Sequence, residues 1–243
     1  MRELMSSFLS NDSPFGRLMT RCGVIIGANL MFILFSMPVI TIGPAAAALY
    51  HVMFRALRSD GEINPFREFW KGFRGNFRQA VIVWIAAAAL LLFGAADLRI
   101  IAQAGGALSL LRYPILAMGI GALILLLYLF PVMAAFAGSL PELLRSSFYF
   151  AMHRPWKIPV IVFFDVFPLY LTYTDPKMLP LYAFLWCFFG FGAVAMIGAS
   201  LLLPDMAPFL DPAEAPEDAG EEAADAADAD RQQVLDDMER MGM

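Results

Sequence analysis

The stretch from Asn29 to Val52, NLMFILFSMPVITIGPAAAALYHV, contains two apolar runs separated by residues that interrupt helices. The first run begins upstream, at Cys22, and extends to Ile42. Its end is marked by Pro38, Gly43 and Pro44, residue types that interrupt regular helical hydrogen bonding. Because the first residue of a helix needs no N–H donor, Pro44 is well placed to begin the next helix. The stretch therefore predicts two apolar helices joined by a tight connection.

The composition of the chain excludes an ordinary soluble domain. Of its 243 residues, 60% are hydrophobic and 16% are charged, whereas soluble domains are about 45–50% apolar and about 25% charged. The apolar residues form runs of roughly 17–25 residues, which is the length that crosses a hydrocarbon core of about 30 Å as a helix. We therefore predict an all-α, polytopic bundle of transmembrane helices whose main partner is the lipid bilayer.

The pattern predicts about six spans and two amphipathic helices at the membrane interface, residues 63–78 and 139–153. The second apolar segment has 14 residues and a helical length of about 21 Å, which is short for a full crossing. It is either a short span or a re-entrant half-helix, which would leave four spans and a hairpin. The predicted spans are Cys22 to Ile42, Ala45 to Arg58, Gln79 to Ala96, Tyr113 to Ala137, Lys157 to Tyr173 and Leu179 to Leu203.

The basic side chains predict the orientation, because Lys and Arg in short loops stay in the cytoplasm. With the N-terminus inside, 12 of the 15 basic side chains of residues 1–204 lie in the cytoplasm, and only Arg99, Arg112 and Lys177 lie outside. We therefore expect residues 98–112 and 174–178 outside the membrane and both termini in the cytoplasm.

The composition changes after Pro204. Residues 205–243 carry 13 acidic and two basic side chains, a net charge of −11, so the preceding 204 residues carry +6 of the total of −5. Such a segment has too few large apolar groups to offset the entropy of an ordered chain. We predict a transmembrane helical domain over residues 1–204 and an acidic, disordered cytoplasmic tail over residues 205–243.

Asp165, in KIPVIVFFDVFPLYL, is the most conspicuous polar position because it lies in the middle of a predicted span. Ionisable groups in a bilayer are costly and are candidates for function. The carboxyl group could pair with a basic residue of another subunit, bind a cation or carry a proton. We favour a structural carboxyl, protonated and hydrogen-bonded within the bundle, because burial disfavours the charged form.

The other candidate positions are uncharged. We expect Asn29 to form hydrogen bonds between helices rather than to contact a ligand. Thr41, Gly43 and Pro44 precede a helix N-terminus that could hold an anion, although a plain turn between helices is the favoured interpretation. Asn76, in the aromatic and basic helix, completes the set.

The sequence contains no motif typical of an enzyme. The G-x-S-x-G, H-E-x-x-H and P-loop patterns are missing from the 243 residues. Cys22 and Cys187 lie in apolar runs and fit small buried side chains. His51 and His153 are far apart and each lies near an arginine, which disfavours a metal pair. We therefore expect no catalytic residue, cofactor, metal or nucleic-acid partner.

Two segments of the chain resemble a known family. Asn29 to Val52 and the stretch FREFWKGFRGNFRQA, Phe66 to Ala80, are similar to the two best-marked segments of the YesL-like membrane proteins, a bacterial family of unknown function. The resemblance extends over roughly residues 1–204, judged by the order of apolar spans and interfacial helices.

The resemblance implies a multi-pass protein of the bacterial cell membrane, encoded near genes for carbohydrate uptake and polysaccharide degradation. The function it suggests is that of a non-catalytic accessory component that associates with ABC-type sugar importer subunits or with itself. The alternative is a small transporter or channel that uses Asp165 within the membrane.

Overall fold

The computed structural model describes residues 14–59, 63–104 and 106–210, which form helices and short turns without a β-strand. The predicted all-α class is therefore confirmed. Irregular helical turns connect α-helices at Val39–Thr41, Gly106–Leu111, Pro176–Met178 and Trp186–Gly190, and a further turn, Ala207–Phe209, follows the last α-helix. The α-helices are α1 Pro14–Ser36, α2 Ile42–Arg58, α3 Pro65–Ala104, α4 Arg112–Ala135, α5 Leu140–His153, α6 Lys157–Thr174, α7 Leu179–Leu185 and α8 Phe191–Met206.

Six helical stretches of the described chain are long and apolar enough to cross a membrane, as the sequence predicts. The second of them includes the turn before α2 and has 20 residues, and α2 itself begins before the predicted Ala45. This added length favours a short full span over a half-helix. The six stretches are Met19–Ser36, Val39–Arg58, Pro65–Gln103, Ser109–Ala135, Lys157–Thr174 and Pro176–Phe209.

Helix α2 lies at the centre of the bundle, in contact with α1, α3, α4 and α8. Ala45, Ala47 and Ala48 are completely buried, and such small side chains let neighbouring helices approach closely. At Gly43, an added Cβ would lie 2.7 Å from the carbonyl oxygen of Ala80 in α3. Glycine is therefore required where α2 begins against α3.

The predicted division of this region into an interfacial helix, residues 63–78, and a separate span, Gln79 to Ala96, is wrong. One helix of 40 residues runs from Pro65 to Ala104, whereas the sequence pattern predicts a break near residue 78 and a loop after residue 96. The helix continues because the segment from Phe66 to Ala104 contains no proline. Its glycines are tolerated in a helix that packs against neighbours. The second interfacial segment does form a separate helix, α5.

Aromatic side chains anchor the first turns of α3 to α1. Phe69 and Phe73 are buried, and their rings lie 5.7 Å and 4.9 Å from the ring of Phe35, measured between centroids. Rings at these distances gain about 0.5–1.5 kcal/mol beyond the area they bury. The first turns of α3 are therefore part of the packed bundle rather than a helix that contacts lipid alone.

The boundary of the membrane domain also differs from the prediction. Asp205, assigned from composition to the tail, is the penultimate residue of α8 and is buried. Its carboxylate lies 2.5 Å from Nζ of Lys157 and 3.1 Å from Nη1 of Arg154. Because these partners lie about fifty residues earlier in the chain, local composition does not reveal them. Residues 211–243 lie outside the described part of the chain, so a disordered tail stays a prediction there.

The predicted orientation can be tested with single cysteines in a variant that lacks Cys22 and Cys187. Cysteines at Gln103 and Lys177, both exposed, should react with an impermeant maleimide on intact cells. A cysteine at Gly75, where an added Cβ meets open space, should react only after the membrane is permeabilised. Labelling of residue 75 on intact cells would reverse the orientation.

The buried ion pair predicts where the chain can be shortened. Truncation after Pro204 or Asp205→Ala leaves the Lys157 ammonium buried without a carboxylate, and breaking such a pair costs about 3–5 kcal/mol. We expect a lower melting temperature in detergent for both variants and no change after truncation at Leu210. The double variant Lys157→Met/Asp205→Leu should recover most of the loss. Equal melting of the two truncated chains would contradict this role for Asp205.

Candidate functional site

His51 joins three helices at one end of the bundle. Its Nδ1 lies 3.2 Å from the carbonyl oxygen of Ala134 in α4, and its Nε2 lies 3.3 Å from Oε2 of Glu68 in α3. Nε of Arg55 lies 3.6 Å from the same carboxylate oxygen. Both ring nitrogens therefore lie within hydrogen-bond distance of an oxygen atom on another helix. Sequence reasoning considered His51 only as a metal ligand and missed this bridge, whose two partners lie on other helices.

The two segments predicted to be interfacial lie at this same end. Gln79 Nε2 donates a hydrogen bond of 3.0 Å to the carbonyl oxygen of Gly138, in the connection between α4 and α5. The connection that leads into α5 thus lies against α3, at the end of the bundle where α3 begins. We call the surface formed by residues 65–78 and 140–156 the basic end of the molecule.

The basic end exposes large apolar and cationic side chains together. Its six large apolar side chains are 42–62% exposed, while Phe69, Phe73 and Tyr149 on the same segments point inward. Large exposed apolar groups rimmed by charge are typical of protein or membrane interaction sites. The exposed side chains are Phe66, Trp70, Phe77, Phe148, Met152 and Trp156, with the basic residues Arg67, Lys71, Arg74, Arg78 and Arg145.

A cavity of 320 Å³ opens beside α5, between Arg145, Phe150 and Phe209. Glu142 borders it and accepts a hydrogen bond of 2.8 Å from the backbone N–H of Ser139. Hydrogen bonds from Ser139 hold the pKa of the Glu142 carboxyl below its usual value. The stabilisation of the start of α5 by this carboxylate is therefore complete at neutral pH and is lost as the pH falls through the lowered pKa.

Asn29 holds an irregular turn in the last span. Residues Trp186–Gly190 form a π-helical turn, and such turns leave backbone groups without their regular partners. The Asn29 amide donates hydrogen bonds to the carbonyl oxygens of Trp186, at 3.0 Å, and Cys187, at 2.7 Å. Its Oδ1 accepts a hydrogen bond of 2.8 Å from the N–H of Gly192. The predicted hydrogen bonding between helices is therefore present.

The turn that contains Thr41 is satisfied by the chain itself. The Thr41 hydroxyl lies within hydrogen-bond distance of the carbonyl oxygens of Phe35, at 2.5 Å, and Pro38, at 2.7 Å. Gly43 and Pro44 are buried at the start of α2. This geometry supports the plain turn between helices over an anion site.

Asn76 contacts its own helix. Its amide donates a hydrogen bond of 3.3 Å to the carbonyl oxygen of Gly72, one turn earlier in α3. This is the i−4 bond that a polar side chain makes within a helix. The structure therefore does not bring Asn76 together with the other predicted positions.

Asp165 borders a cavity of 570 Å³. It is the ninth of the 18 residues of α6, so about 12 Å of helix separates it from either end. Its Oδ2 is buried and accepts no hydrogen bond from the described part of the chain. Asp165 thus differs from Asn29 and Thr41, whose polar atoms are occupied by backbone partners. The cavity is lined by Tyr50, Trp84, Ile120, Leu123, Ile124, Leu126, Leu127, Phe130, Ile158, Val162, Asp165 and Val166.

The described residues bring no three His, Cys, Asp or Glu side chains together in an arrangement that could hold a metal ion. Cys22 and Cys187 carry free thiols, and Cys187 is exposed rather than buried as the sequence analysis suggests.

Comparison with known proteins supports the resemblance to YesL-like proteins. Residues 25–98 match a family described as "Protein of unknown function, DUF624". Two uncharacterized proteins of Bacillus subtilis (strain 168) are similar: YteU is 26% identical over 53% of this chain and 60% of its own length, and YesL is 29% identical over 52% of this chain and 61% of its own length. The match thus spans about three fifths of each relative. No solved structure matches the chain significantly.

The role of Asn29 can be tested by comparing two alanine variants. Asn29→Ala removes three hydrogen bonds to the last span, and we expect a loss of about 1–2 kcal/mol and a lower melting temperature in detergent. Asn76→Ala is the matched control, because its amide contacts only its own helix, and it should melt like the wild type. Equal melting of both variants would show that the π-helical turn does not depend on Asn29.

Proposed function

We propose that this chain, which is similar to the YesL-like DUF624 proteins, is a non-catalytic accessory subunit of the bacterial cell membrane that serves carbohydrate uptake through an ABC-type sugar importer. The observation that supports the proposal is the basic end, where α3 and α5 both expose aromatic and cationic side chains at the same end of the bundle. The link to sugar uptake comes from the family resemblance and is part of the proposal.

The dimensions of α3 favour a protein partner over the membrane interface alone. A helix of 40 residues is about 60 Å long, whereas a bilayer with its headgroups is about 40–45 Å thick. The 14 residues before Gln79 account for about 21 Å of this length. Part of the basic end therefore extends beyond the headgroups, where an exposed aromatic side chain is stabilised by contact with another protein.

The side chains of the basic end are of the types that dominate binding energy at interfaces. Aromatic residues, Met and Arg are enriched at protein interfaces, and a few of them carry most of the affinity. Arg67 also borders a polar cavity of 340 Å³ together with Arg55 and Arg58. These charges favour an acidic partner surface, since complementary charge increases both specificity and association rate.

The inward face of the α3 segment of the basic end packs against α1 and α2. Phe69 and Phe73 pack on Phe35, and the contact between His51 and Glu68 links α2 to α3. A surface held in one conformation loses less entropy when a partner binds. This packing supports the proposal that the exposed residues on the outward face of the first turns of α3 bind a partner protein.

A second candidate function is transport by the protein itself. The specific observation that favours it is the position of Asp165, at the middle of α6 and beside a cavity of 570 Å³. Intramembrane carboxyl groups of transporters commonly bind substrate or carry protons. Flux measured with the purified protein in liposomes, without an importer, would favour this candidate.

The docking proposal can be tested by co-purification from native membranes and by sugar uptake. We expect the tagged wild-type chain to retain ABC importer subunits. Phe148→Ala/Met152→Ala should reduce their recovery roughly tenfold, because exposed aromatic residues at interfaces often contribute more than about 1.4 kcal/mol. Lys71→Gln/Arg74→Gln should weaken recovery in a salt-dependent manner. Uptake of polysaccharide-derived sugars should fall in parallel at matched membrane abundance.

Two control variants alter similar side chains at the other end of the molecule. Tyr173→Ala/Met178→Ala changes residues that are 86% and 50% exposed, and Arg99→Gln/Arg112→Gln removes two charges. Both should retain importer subunits and uptake, and the orientation of every variant is checked by cysteine labelling. Normal importer recovery and uptake in the basic-end variants would contradict the docking proposal.

A further inference from the structure

The cavity beside Asp165 is separate from the basic end and is lined by residues of four helices. Tyr50 belongs to α2, Trp84 to α3, Leu127 to α4 and Asp165 to α6. Its volume of 570 Å³ lies within the range of about 300–1,000 Å³ that is typical of small-molecule sites. The space is therefore sufficient for a compact organic molecule.

The walls of this cavity carry one acidic group in otherwise apolar surroundings. Eight of the twelve lining residues are Ile, Leu or Val, three are aromatic and the last is Asp165. The buried Oδ2 of Asp165 accepts no hydrogen bond from any described residue. An ionised carboxylate in such a place is costly unless a cation lies beside it. A positive charge beside Asp165 would offset this cost and stabilise the ionised carboxylate.

The surroundings favour an organic cation over a metal ion. Ca²⁺ takes about six to eight oxygen ligands, and Mg²⁺ is also held mainly by oxygen atoms, whereas Asp165 is the only carboxyl group among the lining residues. The rings of Tyr50, Trp84 and Phe130 also line the cavity, and aromatic faces attract organic ammonium groups. The apolar walls would bind the hydrophobic body of such a molecule.

The cavity also has an apolar entrance. Ile120, Leu123 and Val166 line it, yet they are 57%, 48% and 53% exposed, so the space opens between α4 and α6 toward the surface of the bundle. In a membrane this surface faces lipid. A ligand that dissolves in the bilayer therefore reaches Asp165 without crossing the basic end.

We propose that the cavity between α2, α3, α4 and α6 binds a lipophilic organic cation, a hydrophobic amine or quaternary onium compound, whose charge lies against Asp165. The site is independent of the docking function, since no residue of the basic end lines it. Occupancy fills the gap between α4 and α6 and thereby stabilises the bundle by mass action.

The test uses two probes of nearly identical shape and opposite charge. Tetraphenylphosphonium should bind the purified full-length chain saturably in a non-ionic detergent, and tetraphenylborate should not compete for the site. Asp165→Asn should weaken binding of the cation roughly tenfold or more, because it removes a desolvated charge pair. Leu127→Trp should abolish binding by filling the cavity. Asp97→Asn, which removes an exposed carboxyl group of α3, is the matched control.

The measurements are equilibrium dialysis with labelled tetraphenylphosphonium and the melting temperature with and without the probe. We expect the probe to raise the melting temperature of the wild type and of Asp97→Asn, to raise that of Asp165→Asn by less, and not to change that of Leu127→Trp. Equal binding of the borate, or unchanged affinity in Asp165→Asn with a native melting profile, would overturn the proposal. Importer recovery is measured separately, so a failed docking proposal and a failed cation site are distinguishable.

Discussion

The close approach of α2 to α3 is the constraint on which the rest of the structure depends. Glycine permits it at both ends of the contact: a Cβ at Gly43 would lie 2.7 Å from an α3 carbonyl oxygen, and one at Gly72 would lie 2.9 Å from Cβ of His51. Lipid gives no hydrophobic driving force between helices, so packing at short distance supplies much of the stabilisation. This contact lets His51 reach Glu68 and lets the Trp84 indole N–H donate to the carbonyl oxygen of Val39, at 2.7 Å.

Much of the fold could be predicted because its signal is local. Apolar runs of membrane length and the breakers around Pro44 identify the helices from neighbouring residues alone. The continuity of α3 was missed, since an aromatic and basic segment beside an apolar one has the same composition whether or not the helix bends between them. Asp205 was missed for another reason, because its partners are distant in sequence: Lys157 begins α6, and Arg154 lies in the connection between α5 and α6.

The candidate site could be predicted only in part. Hydropathy singles out Asp165, because an ionisable residue within an apolar run can be recognised from the sequence alone. The cavity beside Asp165 depends on the distance between α4 and α6. The spacing of residues along the sequence does not predict this distance. At the basic end, the pattern shows aromatic and cationic residues at helical spacing, but it does not show that Phe148 faces out while Tyr149 and Phe150 are buried. Which side chains remain exposed is decided by tertiary packing.

The π-helical turn at Trp186–Gly190 sets the angular phase of the helix that follows. One extra residue in a turn rotates everything downstream by about 100° relative to an uninterrupted α-helix. With this rotation, Gly192, Ala195, Ala199 and Leu202 are buried along one face of α8, and Asp205 continues the same face. The turn to which Asn29 is hydrogen-bonded thus sets the face of α8 on which Asp205 lies, more than three helical turns away. Through this turn, the side-chain amide of Asn29 in α1 is linked to the ion pair between Asp205 and Lys157 at the end of α8.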